Sequence, residues 1–341
     1  MHGSTANSKI EPVLTPIEEL NAPSITKSSL DADVAGHPGL KGDEVPQSGL
    51  LIINADDWGR DRETTDRTLE CILRGAVSSV SAMVFMEDSE RAAAMARERG
   101  IDAGLHLNFT TRFSAARCPA RLLECQERVA AYLRGSRFNQ VLFHPGLVRS
   151  FGYVVSAQYE EFRRLYGAPP ERLDGHHHMH LSANVLLAGL LPLGTIVRRN
   201  FSFEPGEKSW GNRFYRKVVD RLLARRHRLT DFFFSLPPLE PADRLRRIFS
   251  LARQFVVEVE THPVKPEEYR FLTGGEIFRW TRGGPVATCF DVPGTGRPRQ
   301  ETKHDTLRKP PWRAGDRTCC LHIHGGNGPQ VKSHLDEMEP Q

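Results

Sequence analysis

Asp174-Gly175-His176-His177-His178-Met179-His180-Leu181 packs four of the chain's fourteen histidines into five consecutive positions. Neutral imidazole is the commonest protein ligand for a transition metal, and a carboxylate beside it can fix its tautomer. In a strand, alternate side chains share a face. Asp174, His176, His178 and His180 are therefore expected to point one way, with His177 and Met179 opposite. A histidine-rich run can also be a tag or a metal-scavenging tail. An acid-led run inside a globular stretch points instead to a built metal site.

Asp56 and Asp57 form the second feature. They close the apolar run Leu50-Leu51-Ile52-Ile53-Asn54-Ala55. One of the two acids could cap the helix that follows, but that leaves its neighbour unexplained. His106 stands near the end of another apolar segment, Ile101–Asn108, and His262 closes a later one, Val256–Pro263. In a parallel α/β barrel the carboxyl ends of the strands converge on one mouth, so residues remote in sequence can meet there. One carboxylate and two imidazoles make a three-ligand site with positions left for water and substrate. That is the pattern of catalytic metal sites, not structural ones.

The elements that must position these residues follow from hydrophobic patterning. Continuous apolar character over 50–55 predicts a strand covered on both faces, as in parallel sheets. Helices are predicted over 64–74, 89–99, 121–133, 156–166, 183–191, 207–226 and 241–255. Strands are predicted over 77–85, 101–108, 194–199 and 256–263, with a strand or loop over 229–236. The histidine run falls between two of the helices. This alternation predicts βαβ units and a parallel sheet. The stretch 109–151 has a weak pattern and is expected to be a long loop lining the cleft, with His144 a surface histidine.

Residues 1–49 are polar, without periodicity, and are expected to form a disordered leader; a domain is expected over 50–283, and a disordered tail over 284–341. Within the tail, Cys319-Cys320-Leu321-His322-Ile323-His324 lacks the paired spacing of zinc modules. The net charge of +4 is spread over intermixed acids and bases, which argues against a nucleic-acid footprint. Six cysteines without a CxxC pair fit a reducing compartment. With no signal pattern and no run of membrane-spanning length, a cytoplasmic protein without membrane partners is expected.

Asn54-Ala55-Asp56-Asp57-Trp58-Gly59 resembles the NADDFG motif of the YdjC/ChbG-like carbohydrate deacetylases. Gly104-Leu105-His106-Leu107-Asn108 resembles their second motif, Asp174 to His180 their DSHHHVH motif, and Thr261-His262-Pro263 a late histidine–proline element. The resemblance implies a NodB-related, irregular (β/α) barrel. It implies hydrolysis of the N-acetyl group of an N-acetylated amino sugar or oligosaccharide, by attack of a metal-held water on the amide carbonyl. It places a divalent metal, Mg²⁺ with Zn²⁺ as the alternative, on Asp57, His106 and His176. It makes Asp56 the general base and His262 the general acid, and puts His178 and Trp58 near the substrate and Arg198 near substrate or a carboxylate. The sequence departs from the family at Trp58, where Phe is usual, at Gly175, where Ser is usual, and at Val264, where Gly is common. Two alternatives stay open at this stage. One is a hydrolase of a phosphoester or cyclic amide on the same barrel. The other is a sugar-binding relative without catalysis. A homodimer stays open as the self-association state.

Overall fold

The computed structural model of the protein describes residues 49–203 and 207–281. The expected leader, Gly49 apart, and the expected tail lie outside the described residues.

Strand β1 (Leu50–Trp58) is buried along almost its whole length, as its unbroken apolar run requires. Helix α1 (Arg62–Leu73) follows, its N-terminus capped by Asp61, whose carboxylate accepts from the Thr64 N–H. The chain continues through β2 (Ser79–Ala82), α2 (Ser89–Arg99) and β3 (Ala103–Leu107). Two long helices, α3 (Ala120–Gly135) and α4 (Val148–Tyr166), intervene before β4 (Arg172–Gly175). Then come α5 (Ala183–Leu187), β5 (Ile196–Val197), α6 (Trp210–Ala224), β6 (Phe232–Ser235), α7 (Ala242–Leu251), β7 (Val256–Thr261), α8 (Pro266–Thr273) and α9 (Glu276–Thr281).

All seven strands are parallel, in the order β5-β4-β3-β2-β1-β7-β6. β1 lies inside the sheet between β2 and β7, and every carboxyl end opens on one face. In a flat sheet five strand spacings, about 24 Å, would separate β5 from β7. Yet the Arg198 guanidinium, just past β5, reaches Glu258 of β7 at 2.7 Å. The sheet is therefore curled into an incomplete barrel, and a bridge between Ile196 and the Arg228 backbone brings its two edges together. The irregular α/β barrel expected from the sequence is the fold observed.

Two local expectations change. The stretch 109–151 carries the helix expected over 121–133, seen as α3, and the helix expected from 156 begins eight residues earlier, because α4 packs along α3. The histidine run is not an extended strand. β4 stops at Gly175, and residues His176–Leu181 coil into a 3₁₀ turn in which His177 (φ 54°) and His178 (φ 58°) are left-handed. A Cβ on Gly175 would lie 3.0 Å from the His180 Cβ and Nδ1, so glycine gives the turn room to fold back over the strand end.

Candidate active site and metal centre

The turn sends its four histidines to four different places, so the shared face expected of a strand does not form. His176 turns to Asp57. His180 is buried and its Nε2 lies 2.9 Å from the Arg198 carbonyl oxygen. His178 lies edge-on to Phe201 at 4.7 Å, and His177 is exposed beside the Thr110 hydroxyl at 3.1 Å.

Asp57, His106 and His176 come together at the carboxyl ends of β1, β3 and β4. Asp57 Oδ1 lies 2.9 Å from His176 Nδ1 and 3.5 Å from His106 Nε2. Donors around one cation with bonds of 2.0–2.1 Å stand about 2.9–3.4 Å apart. All three residues are buried, and Asp57 Oδ1 has no hydrogen-bond partner. Asp57 is itself left-handed (φ 67°), an uncommon backbone state for a residue other than glycine. Its other oxygen accepts from Arg60 at 2.7 Å, which leaves Oδ1 alone to face the two imidazoles. Burial works against the Asp57 charge, but the adjacent His106 and His176 hold its carboxyl well below the usual range.

The orphaned oxygen is the test of fit for a divalent metal, and the donor set passes it. The hydrogen-bonding behind the ligands fits as well. His106 Nδ1 lies 2.8 Å from Asp174 Oδ1, which fixes the N–H on Nδ1 and turns Nε2 toward Asp57. Burial opposes a charge on His106, yet Asp174 and Asp56 push its pKa up to about 10 in the metal-free protein. A second grouping of Asp56, His106 and Asp174 is equally compact. It is a poorer cation site, because its carboxylates are already taken. Both oxygens of Asp56 and one of Asp174 accept from Arg198, at 2.7 to 2.8 Å. The second Asp174 contact comes from Ser81 at 2.5 Å.

Asp56 is buried and ionised. Burial raises its pKa, but the Arg198 guanidinium and His106 outweigh this and hold it below the ordinary carboxylate value. The Asn54 amide donates to Oδ1 at 2.9 Å. A carboxylate offers about four acceptor positions, so Asp56 keeps lone-pair capacity on Oδ2. His262 follows β7. Its backbone N–H donates to Glu268 at 2.8 Å, and its buried Nδ1 has no hydrogen bond and lies 4.0 Å from the same carboxylate. Burial lowers its pKa against the opposing fields of Asp56 and Asp57.

Of the residues expected near substrate, Trp58 is placed elsewhere and Arg198 takes the carboxylate alternative. Trp58 is fully buried in the core, so its larger ring packs the interior and not the cleft. Arg198 is 2% exposed, with its donors spent on Asp56, Asp174 and Glu258. It holds carboxylates in place of meeting a ligand. His178 remains accessible, its side chain 27% exposed and Nε2 3.6 Å from Glu260.

Glu258 and Glu260 were not singled out in the sequence, yet both face Arg198, at 2.7 and 3.4 Å. The signal was available: two acids two apart in Val256-Val257-Glu258-Val259-Glu260-Thr261, a strand too apolar to be solvent-facing. Burial raises the pKa of each, that of Glu260 well above the ordinary value. Arg60 was also missed, since an arginine after a strand reads as surface charge.

Residues 50–282 match the profile of the family described as YdjC-like protein. Among curated relatives, the chain is 32% identical over 132 residues to a chitooligosaccharide deacetylase of Proteus mirabilis, covering 39% of this chain and 50% of the relative. It is 31% identical over 140 residues to a chitooligosaccharide deacetylase of Serratia marcescens, covering 40% and 52%. A carbohydrate deacetylase of Mus musculus is 32% identical over 138 residues, covering 40% and 44%. The chain thus spans about half the length of the curated relatives it matches. A solved structure from Enterococcus faecalis, described as a candidate cellobiose-phosphate cleavage protein, shares the fold. Its TM-score is 0.50 at 19% identity, over 71% of this chain and 97% of that one.

Proposed function

Because the chain belongs to the YdjC-like family, we propose that it is a metal-dependent deacetylase that hydrolyses the N-acetyl group of an amino sugar within a carbohydrate. One observation carries the reading. A buried Asp57 oxygen without a hydrogen bond faces two imidazole nitrogens, beside a second aspartate kept ionised by an arginine. The relatives' names, chitooligosaccharide and carbohydrate deacetylase, support the same assignment.

Asp57, His106 and His176 would hold the divalent metal, magnesium or zinc. When bound there it supplies a Lewis acid for the acetamide carbonyl and makes nearby water more acidic. Asp56 withdraws the proton from the attacking water. Arg198 keeps Asp56 ionised, so the acceptor is present at neutral pH, and with Asn54 it fixes the carboxylate plane. His262 delivers a proton to the leaving nitrogen, since an unprotonated amine departs poorly. It rests neutral because burial lowers its pKa, and Glu268 beside Nδ1 steadies the imidazolium once a proton arrives. Asp174 holds the His106 tautomer, and His178 lines the approach to the site. Among the described residues no helix is long and apolar enough to cross a membrane.

The test is acetate release from N-acetylated mono- and oligosaccharides, with and without a chelator. Asp56→Asn should keep metal affinity and lower kcat by about a hundredfold to ten-thousandfold. Normal turnover in that variant would remove Asp56 as the base. Chelator-insensitive acetate release would remove the metal.

A further inference from the structure

Arg60 lies one residue past the motif that runs from Asn54 to Gly59, so neither the resemblance nor the reaction chemistry gives it a role. The backbone nevertheless folds it back onto a candidate metal ligand. Asp57 leaves β1 in the left-handed state, and the Arg60 N–H closes a turn on the Asp57 carbonyl oxygen at 3.0 Å. Gly59, third in that turn, takes φ 87°, which suits glycine and few other residues. A Cβ there would also stand 3.2 Å from the Met83 carbonyl oxygen and from the Ala92 Cβ. The turn sets the Arg60 guanidinium beside the Asp57 carboxylate.

Each nitrogen of that guanidinium is engaged. Nη1 donates to Asp57 Oδ2 at 2.7 Å, Nε to Asp61 Oδ2 at 2.9 Å and Nη2 to the Thr64 hydroxyl at 3.1 Å. Asp61 is fixed in turn, because its other oxygen caps α1 through the Thr64 N–H at 2.8 Å. An exposed salt bridge contributes little. Here a planar fork is held by the first turn of a helix, and its Asp57 end is only 3% exposed. Arg60 thus occupies one particular oxygen of one buried carboxylate. A carboxylate can give a divalent ion one oxygen or both. Two imidazoles and both Asp57 oxygens would make four donors from the chain; with Oδ2 held by Arg60 there are three. A donor withheld is a position left for water or the acetamide oxygen, as catalytic sites require. The guanidinium also offsets part of the Asp57 charge. Ligand charge tightens a cation site, while it weakens the pull of the cation on nearby water.

We propose that Arg60 is a positioning residue that restricts Asp57 to one donor oxygen and reduces its effective charge, so that metal affinity is given up for an open, more acidic centre. This rests on the metal-dependent reading above and adds to it what sets the number of donors. Asp56 shows the contrast: Arg198 takes both of its oxygens, and it is left as a base and not as a ligand.

The experiment compares the full chain as wild type, Arg60→Met and Arg60→Lys, each stripped with chelator and reloaded with Zn²⁺ or Co²⁺. Calorimetry gives the metal affinity, and the visible absorption of the cobalt form reports coordination geometry without turnover. Arg60→Met should bind Zn²⁺ about tenfold more tightly. Its cobalt form should absorb more weakly, because a further donor joins the ion, and kcat for acetate release should fall about tenfold with KM little changed. Arg60→Lys keeps the charge and should restore most of the wild-type affinity and spectrum. A purely orienting role predicts the opposite sign, since losing a group that only steadies a ligand weakens metal binding about 10- to 100-fold. Weaker or unchanged affinity in Arg60→Met, or an unchanged cobalt spectrum, therefore overturns the proposal. Should Arg60→Met not fold, Arg60→Gln, which retains a donor and removes the charge, carries the affinity comparison with the same expected sign. Tighter metal binding and an altered spectrum, with no acetate released by any of the proteins, keep the Arg60 clamp and remove the deacetylase reading. Acetate release with affinity and spectrum unchanged does the reverse. A chain that takes up no divalent metal overturns both.

Discussion

The mouth of the barrel has two halves that solve the same problem in opposite ways. On the β1, β3 and β4 side, Asp57, His106 and His176 aim three donor atoms at one another and leave Asp57 Oδ1 without a hydrogen bond. On the β5 and β7 side, Arg198 gathers Asp56, Asp174, Glu258 and Glu260, and almost every polar atom has a partner. Both halves bury charge, which is costly unless it is paired. In the first half Asp57 Oδ1 faces only His106 and His176, and it is left free for a cation to join them. The paired half tolerates its charge as it stands and so holds the catalytic carboxylate in one place. Burial alone would mark all of these residues equally. What separates ligands from supports is that donor atoms of Asp57, His106 and His176 converge within reach of one ion while Asp57 Oδ1 keeps no hydrogen bond.

The comparison predicts the largest effect where the unsatisfied donors are. Asp57→Ala or His106→Ala should abolish stoichiometric metal binding and lower acetate release by about a thousandfold or more, as should a chelator on the wild type. Metal content by elemental analysis checks the first outcome and an acetate assay the second. Either variant retaining a full equivalent of tightly held metal would erase the distinction between the halves.

On the paired half the expected loss is stability before activity. Arg198→Met leaves several carboxylates buried without their cation, and should destabilise by about 3–5 kcal/mol in urea unfolding. Glu258→Gln should be close to neutral by the same measurement, because burial already pushes the Glu258 carboxyl toward its protonated form, which glutamine imitates. If the arginine proved as replaceable as the glutamate, the cluster would be incidental.

His180 tests the same half through pH. Burial, opposed by its contact to the Arg198 carbonyl, pushes its pKa down to about 4 from an ordinary 6.5, and its buried Nδ1 is unpartnered. The unfolded chain therefore binds a proton that the folded chain refuses. The stabilisation is complete above about pH 6.5 and is lost as pH falls toward 4, a change of about 3 kcal/mol for this group. Unfolding free energies at pH 7.5 and 5 should diverge more in the wild type than in His180→Asn. Parallel pH dependence in the two proteins would show that His180 does not titrate as a buried neutral ring.

How far the sequence foretold this site follows from the same physics. Asp56, Asp57, His106 and His262 were legible because each ends an apolar strand, and a parallel barrel brings strand ends together whatever lies between. The destinations of the histidine run were not. A period-two reading assumes an extended backbone, and the left-handed His177 and His178 leave no trace in composition. The only cue was Gly175, whose missing Cβ makes room for His180. Arg198 was legible as an inward residue near substrate or a carboxylate, but not as one enclosed by four acids. Its partners Glu258 and Glu260 sit some sixty residues away on a strand that only the curl of the sheet brings near. Trp58 misled for a related reason: a motif shows that a ring is present, while only packing says which way it faces.

The smallest expected effect falls on Asp174, which belongs to both halves. One oxygen receives the His106 Nδ1–H, and the other accepts from Ser81 and Arg198. Burial disfavours its charge, but Arg198 and His106 hold it ionised far below the ordinary range. Because Asp174 helps push the His106 pKa up to about 10, the metal-free protein carries a proton on Nε2 at neutral pH. Metal must displace that proton while Nδ1–H stays on Asp174. Affinity should therefore rise with pH below about 10, and uptake should release about one proton from His106, measurable by calorimetry in buffers of different ionisation enthalpy. Asp174→Asn keeps an acceptor for Nδ1–H and removes the charge. It should weaken metal binding about 10- to 100-fold, the usual cost of losing a carboxylate behind a ligand histidine. It should also flatten the pH dependence, since His106 would then be largely neutral before the metal arrives. Weaker binding with unaltered proton release would mean that Asp174 acts only by orienting the ring. Unaltered affinity would mean that the two halves of the mouth work independently, with no charge shared between them.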